Sequence, residues 1–308
     1  MAKSRKLEET LSTLAQIRDN PTSEEAIAIL CQVLKSKYSV AVAQAAKMVG
    51  EFAIAQLISE LVAAFARMMV KPVQTDPGCL AKKEIAETLY RLEYSDESLF
   101  LEGIHHVQME PVWGGTEDTA AILRGVCALG LVRMNYPEVM NELADLLADP
   151  KPEARVGAAK AIAYTGNSQG VPLLRLKVRM GDKAPQVLSE CFTALLQLAP
   201  TQSLPLVASF LDNPEEQVCE LAALALGESR LYEAFHTLKT WWERTRNAEL
   251  RRTGLLAIAM LRHDEAFEFL ISLIHDDKST DAKDAIAALS LYREDEELWR
   301  RVQQKYEG

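Results

Sequence analysis

Aromatic residues are scarce, with eight Phe, eight Tyr and four Trp in 308 positions, and there are only 14 Gly and 12 Pro. So few aromatic strand formers and turn residues argue against a protein of many short strands. Cysteine offers no metal or disulfide framework: Cys31, Cys79, Cys127, Cys191 and Cys219 are odd in number and contain no C-x-x-C pair. A basic excess is also missing. Lys and Arg total 34 against 44 Asp and Glu, a formal charge of −10, which excludes indiscriminate affinity for nucleic acid. No long apolar run exists either, since the most apolar stretch, 52–70, carries Gln56, Glu60 and Arg67. Lys3, Arg5 and Lys6 lead into Leu-Glu-Glu-Thr, where a secretory signal needs an apolar run. The sequence therefore predicts a cytoplasmic protein with reduced thiols, no membrane insertion and no metal or other cofactor.

What is present is alanine (41) and leucine (42), the leaders of the helix scale. A ten-residue string recurs eight times, at 41–50, 81–90, 121–130, 154–163, 187–196, 218–227, 250–259 and 281–290. The string ends lie 40, 40, 33, 33, 31, 32 and 31 residues apart. Its ninth column is always aliphatic: Val49, Leu89, Leu129, Ile162, Leu195, Leu226, Ile258 and Leu289. Its eighth column reads Met48, Thr88 and then Ala128, Ala161, Ala194, Ala225, Ala257 and Ala288, small enough for a neighbouring helix to approach closely. Columns six and nine share one helical face.

Second amphipathic segments separate the strings, at 138–148, 171–180, 204–211, 232–244 and 266–275. Breaks such as Asp149-Pro150, Asp212-Asn213-Pro214 and His275-Asp276-Asp277 divide the two kinds of segment. Each unit is thus a helical hairpin, and no hairpin can bury its own apolar face, so the units must stack. Extra amphipathic helices at 6–18, with Leu7, Leu11 and Leu14, and at 296–306, with Leu298, Trp299 and Val302, supply caps. The prediction is an all-α chain with a single domain over 1–308: a cap at 1–20, repeats over 22–292 and a cap at 294–308.

At these residues the chain resembles the HEAT-repeat family, in particular the short bacterial subtype first named from phycobilisome lyases. The family's Asp-Pro, Val-Arg-x-x-Ala-Ala-x-Ala-Leu-Gly pattern is nearly whole in Asp149-Pro150 and 155–162, and again in Asn213-Pro214, Val218 and 222–227. The resemblance implies a right-handed α-solenoid of about eight hairpins, with the second helix of each pair on the concave side.

Two groups of residues are candidates for contact with a partner. The string windows hold nine basic and six acidic residues, so a concave ladder of Lys47, Lys83, Arg124, Arg155, Lys160, Arg251 and Arg252 could meet an acidic surface. The alternative is that these cations bond neighbouring repeats and carbonyls. The other group lies where the period stretches to 40, in 71–78 and 103–115, where loops interrupt the repeat. There His105, His106, Glu110 and Trp113 are candidates for partner recognition, or for a structural loop in which Trp113 plugs a repeat interface. Adjacent histidines are poor metal co-ligands. Trp241 and Trp242 add an aromatic-basic cluster with Lys239, Arg244 and Arg246; one Trp of the pair is expected to be partly exposed, as a contact hot spot or, the favoured alternative, the pair covers a neighbouring helix.

Nucleotide, zinc-protease and hydrolase motifs are absent. HEAT-like deoxyhypusine hydroxylases bind iron through His-Glu pairs, and no His here is followed by Glu. The reading that follows is a non-catalytic protein-binding scaffold. The alternatives are a phycobilin-lyase-like enzyme or subunit, which the resemblance implies, and a nucleic-acid-binding HEAT-like protein such as the DNA glycosylases.

Overall fold

The structure, a computed structural model, describes residues 2–274 and 279–307. Among these are nineteen α-helices and a single two-stranded hairpin. The chain divides into two compact units, Met1–Thr165 and Gly166–Gly308.

In the first unit the string helices Ser39–Glu51, Leu80–Arg91, Ala121–Arg133 and Pro152–Tyr164 stack in chain order. Each packs against the helix that precedes it: Glu24–Leu34, Ile58–Met69, Glu97–Ile104 and Val139–Leu147 respectively. In the second unit Pro185–Leu198, Glu216–Glu228, Ala248–Met260 and Thr280–Leu289 stack in the same way. Their partners are Gly170–Met180, Pro200–Ala208, Tyr232–Arg244 and Asp264–Ser272. The expected break at His275-Asp276-Asp277 lies outside the described residues.

Local chemistry accounts for the helix ends. Ser23, Asp96, Asn247 and Ser279 accept backbone N–H bonds as N-caps, and Pro152, Pro185 and Pro200 occupy first turns. The terminal helix Ala2–Gln16 buries Leu14, and Glu296–Glu307 buries Leu298 and Val302. Arg293 covers the half-buried Trp299 ring at 5.1 Å.

String helices also end alike. Ala53, Glu93, Asn135, Gly166, Arg230 and Arg262 all have φ between 51° and 62°, the left-handed geometry that closes a helix C-terminus. Each cap lies three residues beyond its string, except Asn135, which lies five beyond 130. Burial explains the exception. Leu129, expected in the aliphatic column, is only half-buried, whereas Leu131 is fully buried and Gly130 occupies the small column against Phe100. The third string therefore runs 123–132, two residues later than its alanines suggest, and the spacings become 40, 42 and 31. The correction moves Arg124 into the second column, beside Lys82, Arg155 and Arg251.

A second correction concerns the tryptophan pair. Trp241 and Trp242 are both buried, at 3% and 6% exposure. Their helix is covered on two sides. Gly254 leaves room for both rings on the next helix, whose Arg251 guanidinium lies 4.1 Å from the Trp242 ring, while Phe269 of the helix after it packs edge-on against Trp242.

Candidate interaction site

The insertions at 71–79 and 105–119 build one structure within the first unit. After Ile104 the chain turns through His105 and forms strands β1 (Met109–Val112) and β2 (Gly115–Asp118), antiparallel, with Met109 opposite Asp118 and Val112 opposite Gly115. Gly114, at φ 89°, makes the tight turn. This hairpin is a departure from an all-helical chain, and four residues per strand left no period long enough to find it.

Buried polar groups hold the hairpin's base. Asp76, wholly buried, accepts the backbone N–H of Ala81 at 2.9 Å and of Lys82 at 3.0 Å, and so caps the helix Leu80–Arg91. Lys82, also wholly buried, places its ammonium 3.2 Å from Asp76 Oδ2 and 2.7 Å from Gln108 Oε1. Gln108, 1% exposed, donates from its amide to Asp76 O at 2.9 Å and to Glu110. Glu110 Oε1 also accepts from Gly78 N–H at 2.7 Å and Thr119 Oγ1 at 2.9 Å. An unpaired buried ammonium would be costly, and two of its acceptors, Asp76 and Gln108, come from the insertions, while Met68 O at 3.5 Å comes from the end of the helix Ile58–Met69.

Arg124 fastens the other strand. Its guanidinium is 3% exposed, lies 2.8 Å from Asp118 Oδ2, and donates to Asp149 Oδ1 at 3.0 Å and His106 O at 2.9 Å. Asp118 Oδ1 in turn accepts the N–H groups of Gln108 and Ala120 at 3.0 Å. Burial opposes ionisation of Asp118, but these bonds outweigh it and hold its carboxyl below the ordinary range. Glu110 is lowered likewise: burial is outweighed by the bonds from Gln108, Gly78 and Thr119.

The tip is the reverse of the base. Trp113 is 103% exposed, and Val107, Met109 and Val112 stand roughly half out of the surface. Trp113 therefore plugs no interface. His105 is exposed, with Nε2 2.7 Å from Glu142 Oε2, while His106 is half-buried against Gln108 Oε1 at 3.1 Å. Burial pushes the His106 imidazole below its ordinary value, favouring the neutral ring. No group of three or more His, Cys, Asp or Glu side chains among the described residues is arranged to hold a metal.

The ladder residues divide by depth. Arg124 is consumed as above, Arg155 Nη1 donates to Asp149 O at 2.8 Å and Pro150 O at 3.0 Å, and Arg251 Nη1 donates to Trp242 O and Thr245 O at 3.0 and 3.1 Å. Lys47, Lys160 and Arg252 stand exposed, Arg252 being bonded to Asp284 and Glu249. Lys83 is 2.7 Å from Glu84. Sequence reasoning passed over Asp76, Lys82, Gln108 and Asp118. The available signal was Lys82, a cation in the second string column.

Family comparison fits this arrangement of paired helices. Residues 140–226 and 203–291 match the model for HEAT repeats. These are HEAT repeats. The match begins after the hairpin, so the stretched HEAT-like spacing at the insertions lies outside it. No curated protein matches the chain. Among solved structures, the complex of CpcE and CpcF of phycocyanin lyase from Nostoc shares 16% identity over 74% of this chain and 88% of that one, with a TM-score of 0.40. Human deoxyhypusine hydroxylase shares 17% over 84% and 91%, at 0.34. An engineered protein shares 15% over 96% and 90%, at 0.40. At these scores none bears on what the present HEAT-repeat chain does. No helix among the described residues is long and apolar enough to cross a membrane.

Proposed function

We propose that the chain is a non-catalytic protein-binding scaffold and that the hairpin β1–β2 is its principal contact. The observation that carries this is Trp113: a fully exposed tryptophan at the end of a hairpin whose base is clamped by buried Lys82, Gln108 and Arg124. A rigid mount lowers the ordering cost of association, and exposed tryptophan is a frequent binding hot spot. Val107, Met109 and Val112 stand out beside Trp113, so the partner's pocket is apolar. Arg124, Arg155 and Arg251 spend their donors inside the fold. Lys47, Lys83, Lys160 and Arg252 are left as peripheral contacts, with His105 beside the hairpin.

The test is affinity capture from the native host, followed by titration of the recovered protein against wild type and Trp113→Ala. Loss of about 2 kcal/mol or more of binding with an unchanged circular dichroism spectrum is expected. Equal affinity of the two proteins sinks the proposal. So does binding lost only in an Arg155/Lys160/Arg251/Arg252 charge-reversal variant.

A further inference from the structure

We propose that a cationic cleft beside the first insertion, remote in sequence from the hairpin tip, binds a phosphoryl group. The cleft has a volume of about 440 Å³ and is lined by Lys35, Lys37, Tyr38, Arg67, Met68, Gln74 and Thr75. Three of these carry positive charge and none carries negative charge, in a chain whose net charge is −10. Two helix C-termini meet there, Glu24–Leu34 and Ile58–Met69, and their free carbonyls would ordinarily repel an anion. Here the carbonyls are already engaged. Arg67 Nη2 donates to Leu34 O at 2.6 Å and Ser36 O at 3.3 Å, and Thr75 Oγ1 donates to Met68 O at 3.0 Å and Val70 O at 3.1 Å.

The cationic charge is not cancelled in the same way. Arg67 has no carboxylate partner among the described residues, and its Nε and Nη1 make no hydrogen bond there. Burial lowers its pKa, the sign of a cation that lacks a compensating counter-ion. Lys37 is exposed, with its ammonium 5.6 Å from the Tyr38 ring, and Lys35 is exposed as well. The Tyr38 hydroxyl and the Gln74 amide make no hydrogen bond among the described residues, so both are available as donors. Glu60, a carboxylate that Lys35 influences, lies outside the lining. The Ser59 hydroxyl chiefly lowers its pKa, with Lys35 a lesser cause.

An arginine with free fork donors, flanked by two ammonium groups and two neutral donors, suits a doubly charged tetrahedral oxyanion better than a single carboxylate. The volume falls within the range of about 300–1,000 Å³ usual for small-molecule sites, so there is room for the carrier of the phosphoryl group too. That carrier is either a free small phosphate or a phosphorylated side chain.

Calorimetric titration of the full chain separates these sources, with pyrophosphate and a phosphoserine pentapeptide as probes and the glutamate version of the peptide as comparison. Saturable binding of one equivalent is expected, tighter for pyrophosphate if the natural ligand is free and tighter for the phosphopeptide if it is a modified side chain. Lys35→Gln/Lys37→Gln, both exposed and outside the core, should weaken binding about tenfold or more, since hydrogen bonds to charged groups are worth about 1.5–3 kcal/mol. Lys183→Gln, an exposed cation of the other unit, should leave it unchanged. The proposal is overturned if neither phosphate probe saturates by about 1 mM, a very weak limit. It is also overturned if the glutamate peptide binds as well as the phosphopeptide, or if the double lysine variant binds like wild type.

Discussion

Gly125 and Gly157 face each other with no side chain between them: a Cβ built on Gly157 would sit 2.5 Å from the Gly125 Cα. The helices Ala121–Arg133 and Pro152–Tyr164 thus touch backbone to backbone, which is how adjacent repeats share so much surface with so few large residues. Gly157→Ala should therefore destabilise the chain. Helix propensity alone would favour alanine by about 1 kcal/mol, but overpacking at such a contact costs about 1–3 kcal/mol. Gly115→Ala, with nothing within 4 Å of its Cβ, is the control. Thermal unfolding should show a lower midpoint for Gly157→Ala alone; a higher one would mean the helices do not meet there.

The register of the third string is open to direct test. Leu131→Asp and Leu226→Asp each bury a carboxylate where exposure is 0%, and should cost several kcal/mol, about 3 or more. Leu129→Asp, at a half-buried position, should cost clearly less. Urea unfolding ranks the three, and the reverse order for 129 and 131 would restore the alanine-based alignment.

Lys82→Met should loosen the hairpin before it unfolds the unit. Breaking a buried pair by removing one partner costs about 3–5 kcal/mol, because Asp76 stays buried without its counter-ion. Hydrogen exchange at 108–119 should accelerate markedly more than exchange in Pro152–Tyr164. Uniform acceleration would show that Lys82 serves the helix stack and not the hairpin.

Acid should release the same element. Asp118 and Glu110 have folded-state pKa values below their ordinary ones. Their contribution to stability is present above the unfolded-state carboxylate pKa and is lost as pH falls through the lowered folded values. Proteolysis within 105–119 should rise in that acid window, and Asp118→Asn should make the segment susceptible at neutral pH. Identical cleavage profiles at neutral and acid pH would contradict this.

The thiols should react unequally. Burial pushes Cys79 and Cys191 up to about 12 and Cys127 higher still, and Cys219 is raised as well. A thiolate reagent at neutral pH should label the half-buried Cys31 first and Cys127 only on unfolding. Rapid native labelling of Cys127 would be incompatible with its packing.

How much of this could be read beforehand depended on what each residue's neighbours were. Tyr232–Arg244 runs as its periodicity predicts, because an amphipathic segment carries its own 3.6-residue record. Stacking followed from arithmetic, since a lone hairpin cannot cover its apolar face. The third string was misread because Ala128 imitates the small column, and only the burial of Leu131 and the left-handed cap at Asn135 reveal the slip. The tryptophan pair misled for a different reason. Adjacent residues on a helix do point apart, but Gly254 and Arg251 bring cover to both rings from a neighbouring helix.

The sequence by itself determined the string helices, their partners from 138 onward and the aliphatic column outside the third string, because helix propensity and periodicity act over a few neighbouring residues. Only the tertiary structure decided which cations are spent on carbonyls and which face solvent. Lys82 and Lys83 are adjacent, yet one is sealed against Asp76 and Gln108 while the other remains half-exposed. Asp76 and Glu84 are near in sequence, but Gln108, 26 residues on, is brought over Lys82 only by the fold, which local patterning does not encode. Trp113 follows the same rule: its exposure comes from a hairpin anchored at its base by partners that include Lys82, Asp76 and Arg124, and nothing in the tripeptide around it states that.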